Sequence, residues 1–132
     1  MKYLFDANVI SHIVRFPTGK VAERLSEVGS EQVFTSVIVS AEVMFGVRRK
    51  ESDELAKKVG AVLSRLQVAP FEKPADESYA DLRSILEKAG KPIGPNDLFI
   101  AAHALALNAV LVTANEREFS RVPGLKVENW LR

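Results

Sequence analysis

Short apolar runs alternate with longer amphipathic stretches along the chain, and the two patterns predict different elements. The short runs predict strands: "KYLFD", "QVFT", "VAPF", "AVLVT" and, as an edge strand, "KVENWL". The longer stretches predict helices: "VAERLSEV", "SVIVSAEVMFGVRRK", "SDELAKKVGAVLSRLQ", "PADESYADLRSILEKAG", "PNDLFIAAHALAL" and "EREFSRV". Ser36 is expected to cap the second of these helices, and Pro74 and Gly90 mark the start and end of the fourth. Strands that are apolar on both faces and alternate with helices indicate a parallel sheet covered on two sides. The predicted fold class is therefore three-layer α/β.

One uncharged stretch is nearly long enough to span a bilayer. It runs from Leu98 to Asn115 and reads "LFIAAHALALNAVLVTAN". Asn108 divides it into an alanine- and leucine-rich part and a β-branched part. The stretch therefore predicts a buried helix followed by a buried strand, and no membrane partner is expected.

Composition adds limits to this picture. A chain of 132 residues with 47% hydrophobic and 27% charged residues is typical of one compact domain. The formal net charge of +1 does not indicate a nucleic-acid partner, so such binding has to come from local patches. The absence of cysteine excludes disulfides, thiolate catalysis and Cys-ligated zinc. Polar residues from Asp6 onwards interrupt the first apolar run, so no export signal is predicted.

Three carboxylates occupy positions where a soluble protein rarely leaves an acid without a partner. Asp6 ends the first predicted strand, where functional groups of parallel sheets collect. Asp97 lies in the first turn of a helix, where it can cap the helix or serve a site. Glu42 interrupts an apolar helix, so its side chain is expected to have a partner, which can be a shared metal ion or an Arg or Lys from another helix. A shared Mg²⁺ or Mn²⁺ satisfies all three acids at once, since these ions prefer oxygen ligands. The chemistry that such a site favours is metal-assisted hydrolysis.

Four segments, in this order, carry a family resemblance: "LFDANVIS", "TSVIVSAEVMFG", "GKPIGPNDLFIAAHA" and "LVTANEREFSRVPGLKVENW". Together they resemble the PIN-domain ribonucleases, in particular the VapC toxins of bacterial toxin–antitoxin pairs. The resemblance spans nearly the whole chain. It implies a single PIN domain over residues 1–132, with a PIN-like α/β/α sandwich and a central, mostly parallel sheet. It also implies a Mg²⁺- or Mn²⁺-dependent endoribonuclease in the bacterial cytoplasm.

The resemblance assigns roles to individual residues. Asp6, Glu42 and Asp97 match the family's acids and are the expected metal-binding and catalytic residues. Asn8 matches a polar residue expected to orient a ligand or water, and Thr113 is a second candidate for that role.

The chain departs from the family at the fourth position of the site. Many relatives have an Asp shortly after the threonine of the last strand, whereas here the residues from 113 onwards read "TANEREF". Alignment on Thr113 places Asn115 in the acid's position, and alignment on Phe119 offers Glu116 or Glu118. Asn115 is favoured, with Glu118 expected to cap or pair locally. An amide contributes no charge, so a second metal ion is in question.

The partners implied are a structured RNA, such as a tRNA, and a cognate VapB-type antitoxin whose C-terminal segment covers the cleft. A homodimer is also implied, and promoter DNA is expected to bind only through the antitoxin. Basic residues that are candidates for phosphate contacts are Arg15, Arg48, Arg49, Lys50, Lys91 and Arg117. The alternative function is a catalytically inactive PIN-like module that binds RNA or protein. His103 is six positions beyond Asp97, which turns it away from that acid's face of the helix, so a structural role is expected.

Overall fold

The protein is built around a five-stranded sheet in which every pair of neighbouring strands is parallel. The computed structural model describes all residues from Met1 to Arg132. The strands are β1 (Tyr3–Phe5), β2 (Val33–Ser36), β3 (Gln67–Ala69), β4 (Val110–Val112) and β5 (Val127–Glu128). The helices are α1 (Ala7–Arg15), α2 (Lys20–Val28), α3 (Val37–Lys50), α4 (Asp53–Ser64), α5 (Ala75–Lys88), α6 (Pro95–Ala106) and α7 (Glu116–Phe119), with a 3₁₀ turn at Ser30–Gln32.

The order of the strands places β1 in the centre of the sheet, in the sequence β3-β2-β1-β4-β5. Leu4 of β1 lies level with Phe34 of β2 on one side and with Leu111 of β4 on the other. The chain therefore leaves β1 towards one side of the sheet and returns to it from the other. Such a reversal opens a crevice beyond the carboxyl ends of the strands, which is where α/β proteins bind ligands.

The predicted fold class and order of elements are confirmed, with one omission. The sequence pattern assigns no element to residues 7–15, where the structure has α1. Asn8, Ser11 and His12 interrupt the apolar residues there, which masks the helical spacing. That spacing is present in the residues that α1 packs into or against the core: Val9, Ile10, Ile13 and Val14.

The uncharged stretch from Leu98 to Asn115 divides at Asn108, as its composition predicts. Helix α6 ends at Ala106, and Asn108 adopts a positive φ of 51°, a conformation that asparagine tolerates well. Strand β4 follows at once. None of the helices combines the length and the apolar character needed to cross a bilayer.

Aromatic side chains anchor the core on both sides of β1. Phe5 and Phe119 are fully buried, and the ring of Trp130 meets Phe5 edge-on with 5.3 Å between the ring centroids. Trp130 also packs against Tyr3 at the same centroid distance. This packing fixes the C-terminal segment against β1 and, with it, the position of β5 at the sheet edge.

His103 is a buried structural residue. Its Nδ1 lies 2.8 Å from the hydroxyl oxygen of Ser36, and the ring also bonds to the backbone of Pro70. The Ser36 oxygen already accepts the N–H of Ile38 as the cap of α3, so its hydroxyl hydrogen is free to be donated to His103. Burial lowers the pKa of His103 below its usual value. The ring is therefore held neutral and joins α6 to the ends of β2 and β3.

We predict a pH dependence of stability that arises from His103. Because its pKa is lower in the folded state, the unfolded chain binds the proton first, and stability falls as pH drops below about 6.5. Urea unfolding at pH 7.5, 6 and 5 should show a steeper loss for the parent than for His103→Gln, which cannot take up this proton. Equal pH slopes for the two proteins would contradict the assignment, whatever the absolute stability of the variant.

Candidate active site

The carboxyl ends of β1 and β4 bring two polar residues together in the crevice. Asp6 follows β1 directly and Thr113 follows β4, and the two strands are paired in parallel register. The backbone N–H of Asp6 donates to the carbonyl of Val112, so the ladder continues to the last residue before the site. The strand pairing thus determines the distance between the two side chains.

Asp6 is a buried carboxylate that is stabilised by neutral donors. Only 5% of the residue is exposed. Oδ1 accepts the N–H of Ala7 at 2.8 Å as the cap of α1, and Oδ2 accepts the hydroxyl of Thr113 at 2.7 Å. Burial raises the pKa of Asp6, and the hydrogen bonds from Thr113, Ala7 and Asn8 oppose that rise. The carboxylate at the end of an apolar strand therefore has neutral hydrogen-bond donors and no ion pair with a basic side chain.

Asn8 connects the start of α1 to the loop after β4. Its Oδ1 accepts the N–H of Ala114 at 3.0 Å, and its Nδ2 lies 3.4 Å from both Asp6 Oδ2 and the Thr113 hydroxyl. These contacts leave the Asn8 amide beside the Asp6 carboxylate, where it restrains that side chain.

Glu42 lies half-buried on α3 and forms no ion pair. Its Oε2 accepts the side-chain Nδ2 of Asn96 at 3.2 Å. Burial raises the pKa of Glu42, and the charge of Asp6 adds to the rise. The structure therefore does not contain the alternative partner of Glu42, an Arg or Lys from another helix.

Asp97 and Glu118 form a carboxyl pair. Asp97 is in the first turn of α6, and burial together with the hydrogen bond and charge of Glu118 raises its pKa to about 7. Asp6 and Glu42 contribute further repulsion. Glu118 accepts the N–H of Gly94 at Oε1, 2.8 Å away, which lowers its pKa. Asp97 is accordingly the member of the pair that carries the shared proton.

The three candidates for the fourth position lie in different surroundings. Glu116 pairs with Arg132 at the C-terminus of the chain. The Asn115 amide donates to Glu118 Oε2 at 2.9 Å, so the expected local pairing of Glu118 is present. Glu118 also reaches Gly94, 24 residues earlier, and lies beside Asp97. The alternative alignment on Phe119 includes Glu118 among its candidates for this position. Because Phe119 is fully buried, its neighbour Glu118 lies close to the other acids.

The donor set fits a hard divalent cation, although the carboxylates do not by themselves enclose one. The charges of Asp6, Glu42 and Glu118 each raise the pKa of at least one neighbouring acid, and no ion pair neutralises these three acids or Asp97. No group of three or more acidic or histidine side chains is close enough to hold a metal ion alone. Mg²⁺ suits such an arrangement because it retains several water ligands and uses one or two carboxylates.

A groove between α1, α3 and α4 begins at Glu42. It has a volume of about 590 Å³ and an apolar lining that includes Val14, Val47 and Leu55. Three of the predicted phosphate-contacting residues line it as well: Arg15, Arg49 and Lys50. All six predicted basic residues are exposed and free of ion pairs. The groove thus combines an apolar lining with cationic groups beside the acids.

Comparisons with known proteins show the family to which the chain belongs. The family model described as PIN domain matches residues 3–125. Ribonuclease VapC2 of Rickettsia felis is 37% identical over 132 residues, with 98% of each chain covered. The tRNA(fMet)-specific endonuclease VapC of Shigella flexneri is 32% identical with the same coverage.

Solved structures show the same fold. The crystal structure of VapBC2 from Rickettsia felis bound to a promoter DNA fragment has a matching chain with a TM-score of 0.90 and 37% identity, covering 98% of this chain and 99% of that one. A chain of VapBC-1 from nontypeable Haemophilus influenzae matches with a TM-score of 0.88 and 32% identity over 100% of both chains. The protein therefore belongs to the PIN-domain family and, within it, to the VapC ribonucleases.

Proposed function

We propose that this protein is the toxin of a toxin–antitoxin pair, a Mg²⁺- or Mn²⁺-dependent endoribonuclease that cleaves a structured RNA. We further propose that residues 1–132 act as one PIN domain in the bacterial cytoplasm. The observation that carries the proposal is that four acids lie in one crevice and that none of them forms an ion pair with a basic residue. These acids are Asp6, Glu42, Asp97 and Glu118. Such repulsion has a use in a site that binds a cation, and none in a surface that only binds RNA.

Asp6, Glu42 and Asp97 are the residues proposed to hold the metal. When bound, the ion supplies positive charge to the phosphoryl and leaving oxygens and lowers the pKa of water. Thr113 and the N–H of Ala7 hold Asp6 in one orientation, and Asn8 restrains it further. Asp97 has to release its proton before its carboxylate can bind a cation, because a ligand oxygen must be deprotonated.

Asn115 and Glu118 are proposed to fill the fourth position together. Glu118 supplies the negative charge, and the Asn115 amide holds its Oε2. The Gly94 N–H holds the other oxygen, so the carboxylate of Glu118 is tied to the start of α6, where Asp97 lies. In this arrangement Asn115 acts on the site through Glu118.

The proposed substrate is a tRNA, in line with the tRNA(fMet)-specific relative from Shigella flexneri. Recognition of a structured RNA requires contacts to its phosphates. Arg15, Arg49 and Lys50 are suited to this because they line a groove that begins at Glu42. A phosphate strand held by these groups would run towards the acids.

The proposed protein partner is a cognate VapB-type antitoxin, since the solved relatives are VapBC complexes. A peptide segment needs apolar contacts for affinity, and the lining of the same groove provides them at Val14, Val47 and Leu55. An antitoxin in this groove would exclude RNA from Glu42. We also propose that the toxin forms a homodimer and that it contacts promoter DNA only through the antitoxin.

Asp6→Asn and Asp97→Asn are each expected to reduce RNA cleavage by at least about 100-fold, because several kcal/mol of metal-derived stabilisation is lost. The measurement is sequencing of RNA ends after induced expression in bacteria, followed by cleavage of tRNA in vitro with added Mg²⁺ or Mn²⁺. Asp81→Asn, at an exposed position on α5, is the matched control and should cleave like the parent.

The same variants separate loss of function from loss of folding. Asp97→Asn removes a repelled carboxylate and should raise the Tm of the metal-free protein at pH 8, where the parent's Asp97 is ionised. Unchanged cleavage by Asp6→Asn or Asp97→Asn, with soluble protein, would contradict the assigned site. Absence of cleavage by the soluble parent would favour an inactive RNA- or protein-binding module.

Glu118→Gln is expected to weaken Mn²⁺ binding by about tenfold, because it removes one negative charge from the acid group. The glutamine oxygen still accepts the N–H of Gly94, so the start of α6 is retained. Glu116→Gln is the control, since Glu116 pairs with Arg132 outside the acid group. Isothermal titration with Mn²⁺ measures both. Equal affinities for Glu118→Gln and the parent would remove Glu118 from the fourth position.

Arg49→Glu is expected to raise the KM for tRNA with a smaller change in kcat, because Arg49 is assigned to a phosphate and not to the metal. The dependence of log Kd on log salt should lose about one unit of slope. Arg65→Glu provides a control of equal charge change at an exposed position after α4. Equal effects of the two substitutions would mean that net charge, and not this groove, governs RNA binding.

A further inference from the structure

Glu42 accepts fewer hydrogen bonds than Asp6 or Glu118. Asp6 accepts hydrogen bonds from Ala7, Thr113 and Asn8, and Glu118 accepts them from Gly94 and Asn115. Glu42 accepts a single one, from the Asn96 side chain at 3.2 Å. The direction of the Glu42 carboxylate in the crevice therefore depends on Asn96, a residue to which the family resemblance assigns no role.

Glu42 also borders two open spaces, and its flexible side chain can extend into either of them. One is the groove of about 590 Å³ between α1, α3 and α4. The other is a cavity of about 630 Å³ between α3 and α6, lined among others by Phe45, Asn96 and Phe99. Without a partner, the carboxylate has several rotamers available, and fixing one of them costs entropy.

Arg49 is a competing partner for Glu42, because it lines both spaces together with Glu42. An ion pair between them would neutralise the carboxylate and oppose the binding of a cation. In the structure the Arg49 guanidinium lies over the Phe45 ring instead, 5.4 Å from its centroid. Asn96 and Phe45 thus keep the Glu42 carboxylate and the Arg49 guanidinium apart.

We propose that Asn96 is a positioning residue of the metal site, which holds the Glu42 carboxylate at the first turn of α6. This inference rests on the proposed function. Asn96 is adjacent to Asp97 in that turn, so one turn of α6 supplies one acid and the donor that orients another. The amide is a neutral donor that occupies one oxygen of Glu42, leaving the negative charge and the second oxygen for the metal.

Three variants of Asn96 test the proposal by Mn²⁺ titration calorimetry. Asn96→Ala removes the donor and should weaken Mn²⁺ binding by about tenfold, the usual effect of losing a partner that orients a ligand. Asn96→Asp keeps the shape but loses the donor and adds repulsion, so Glu42 should also be displaced. Asn96→Gln retains a donor amide and should recover part of the affinity. The Tm of the metal-free Asn96→Ala protein should equal that of the parent, because the Asn96 side chain is exposed.

A double-mutant cycle decides whether Asn96 acts through Glu42. In a Glu42→Gln background, Asn96→Ala should cause no further loss of Mn²⁺ affinity. In tRNA cleavage, Asn96→Ala should lower kcat and leave KM unchanged. An equal loss of affinity in both backgrounds, or none in the parent background, would overturn the role of Asn96 and leave the proposed nuclease intact. Absence of Mn²⁺ binding by the parent itself would overturn the metal site, and this inference with it.

Discussion

The hydrogen bond of 2.7 Å from the Thr113 hydroxyl to the Asp6 carboxylate lies at the point where β1 and β4 end. It joins the central strand to the strand that arrives from the other side of the sheet. Asp6 also caps α1, and Asn8 in the first turn of α1 reaches the backbone after β4. The position of α1, the loop that leads to α7 and the direction of the first acid all depend on this contact.

Neutral donors satisfy three of the four acids of the candidate site, Asp6, Glu42 and Glu118. Asp6 accepts a helix N–H and a hydroxyl, Glu42 accepts an amide, and Glu118 accepts a backbone N–H and an amide. A buried carboxylate is more commonly paired with a cation, which removes its net charge. Hydrogen bonds from neutral groups stabilise each carboxylate and leave its charge in place. The acids therefore keep their charge close to one another, and the pKa values of Asp6, Glu42 and Asp97 are raised by burial first and by the charges of neighbouring acids second.

Helix α6 connects the stability of the fold to the composition of the site. Its first turn carries Asp97 and Asn96, its capping residue Gly94 donates to Glu118, and its middle holds the neutral ring of His103 against Ser36. Ser36 in turn caps α3, on which Glu42 lies. This helix thus carries one of the acids and is bonded to the segments that carry two others, so the relative positions of the three depend on α6.

The layers, the order of the elements and the three acids of the candidate site can be predicted from the amino-acid sequence alone. Strands and helices follow from local periodicity, and Asp6, Glu42 and Asp97 stand out because each is an acid in an apolar or helix-initial context. The pattern does not reveal helix α1, because Asn8, Ser11 and His12 interrupt its apolar residues. The groups that contact the acids are visible only in the folded chain, because the contacting residues are far apart in the sequence. Thr113 is 107 residues from Asp6, Asn96 is 54 from Glu42, and Glu118 is 24 from Gly94. Local spacing carries no information about such pairs, which form when parallel strands bring their carboxyl ends to one edge of the sheet.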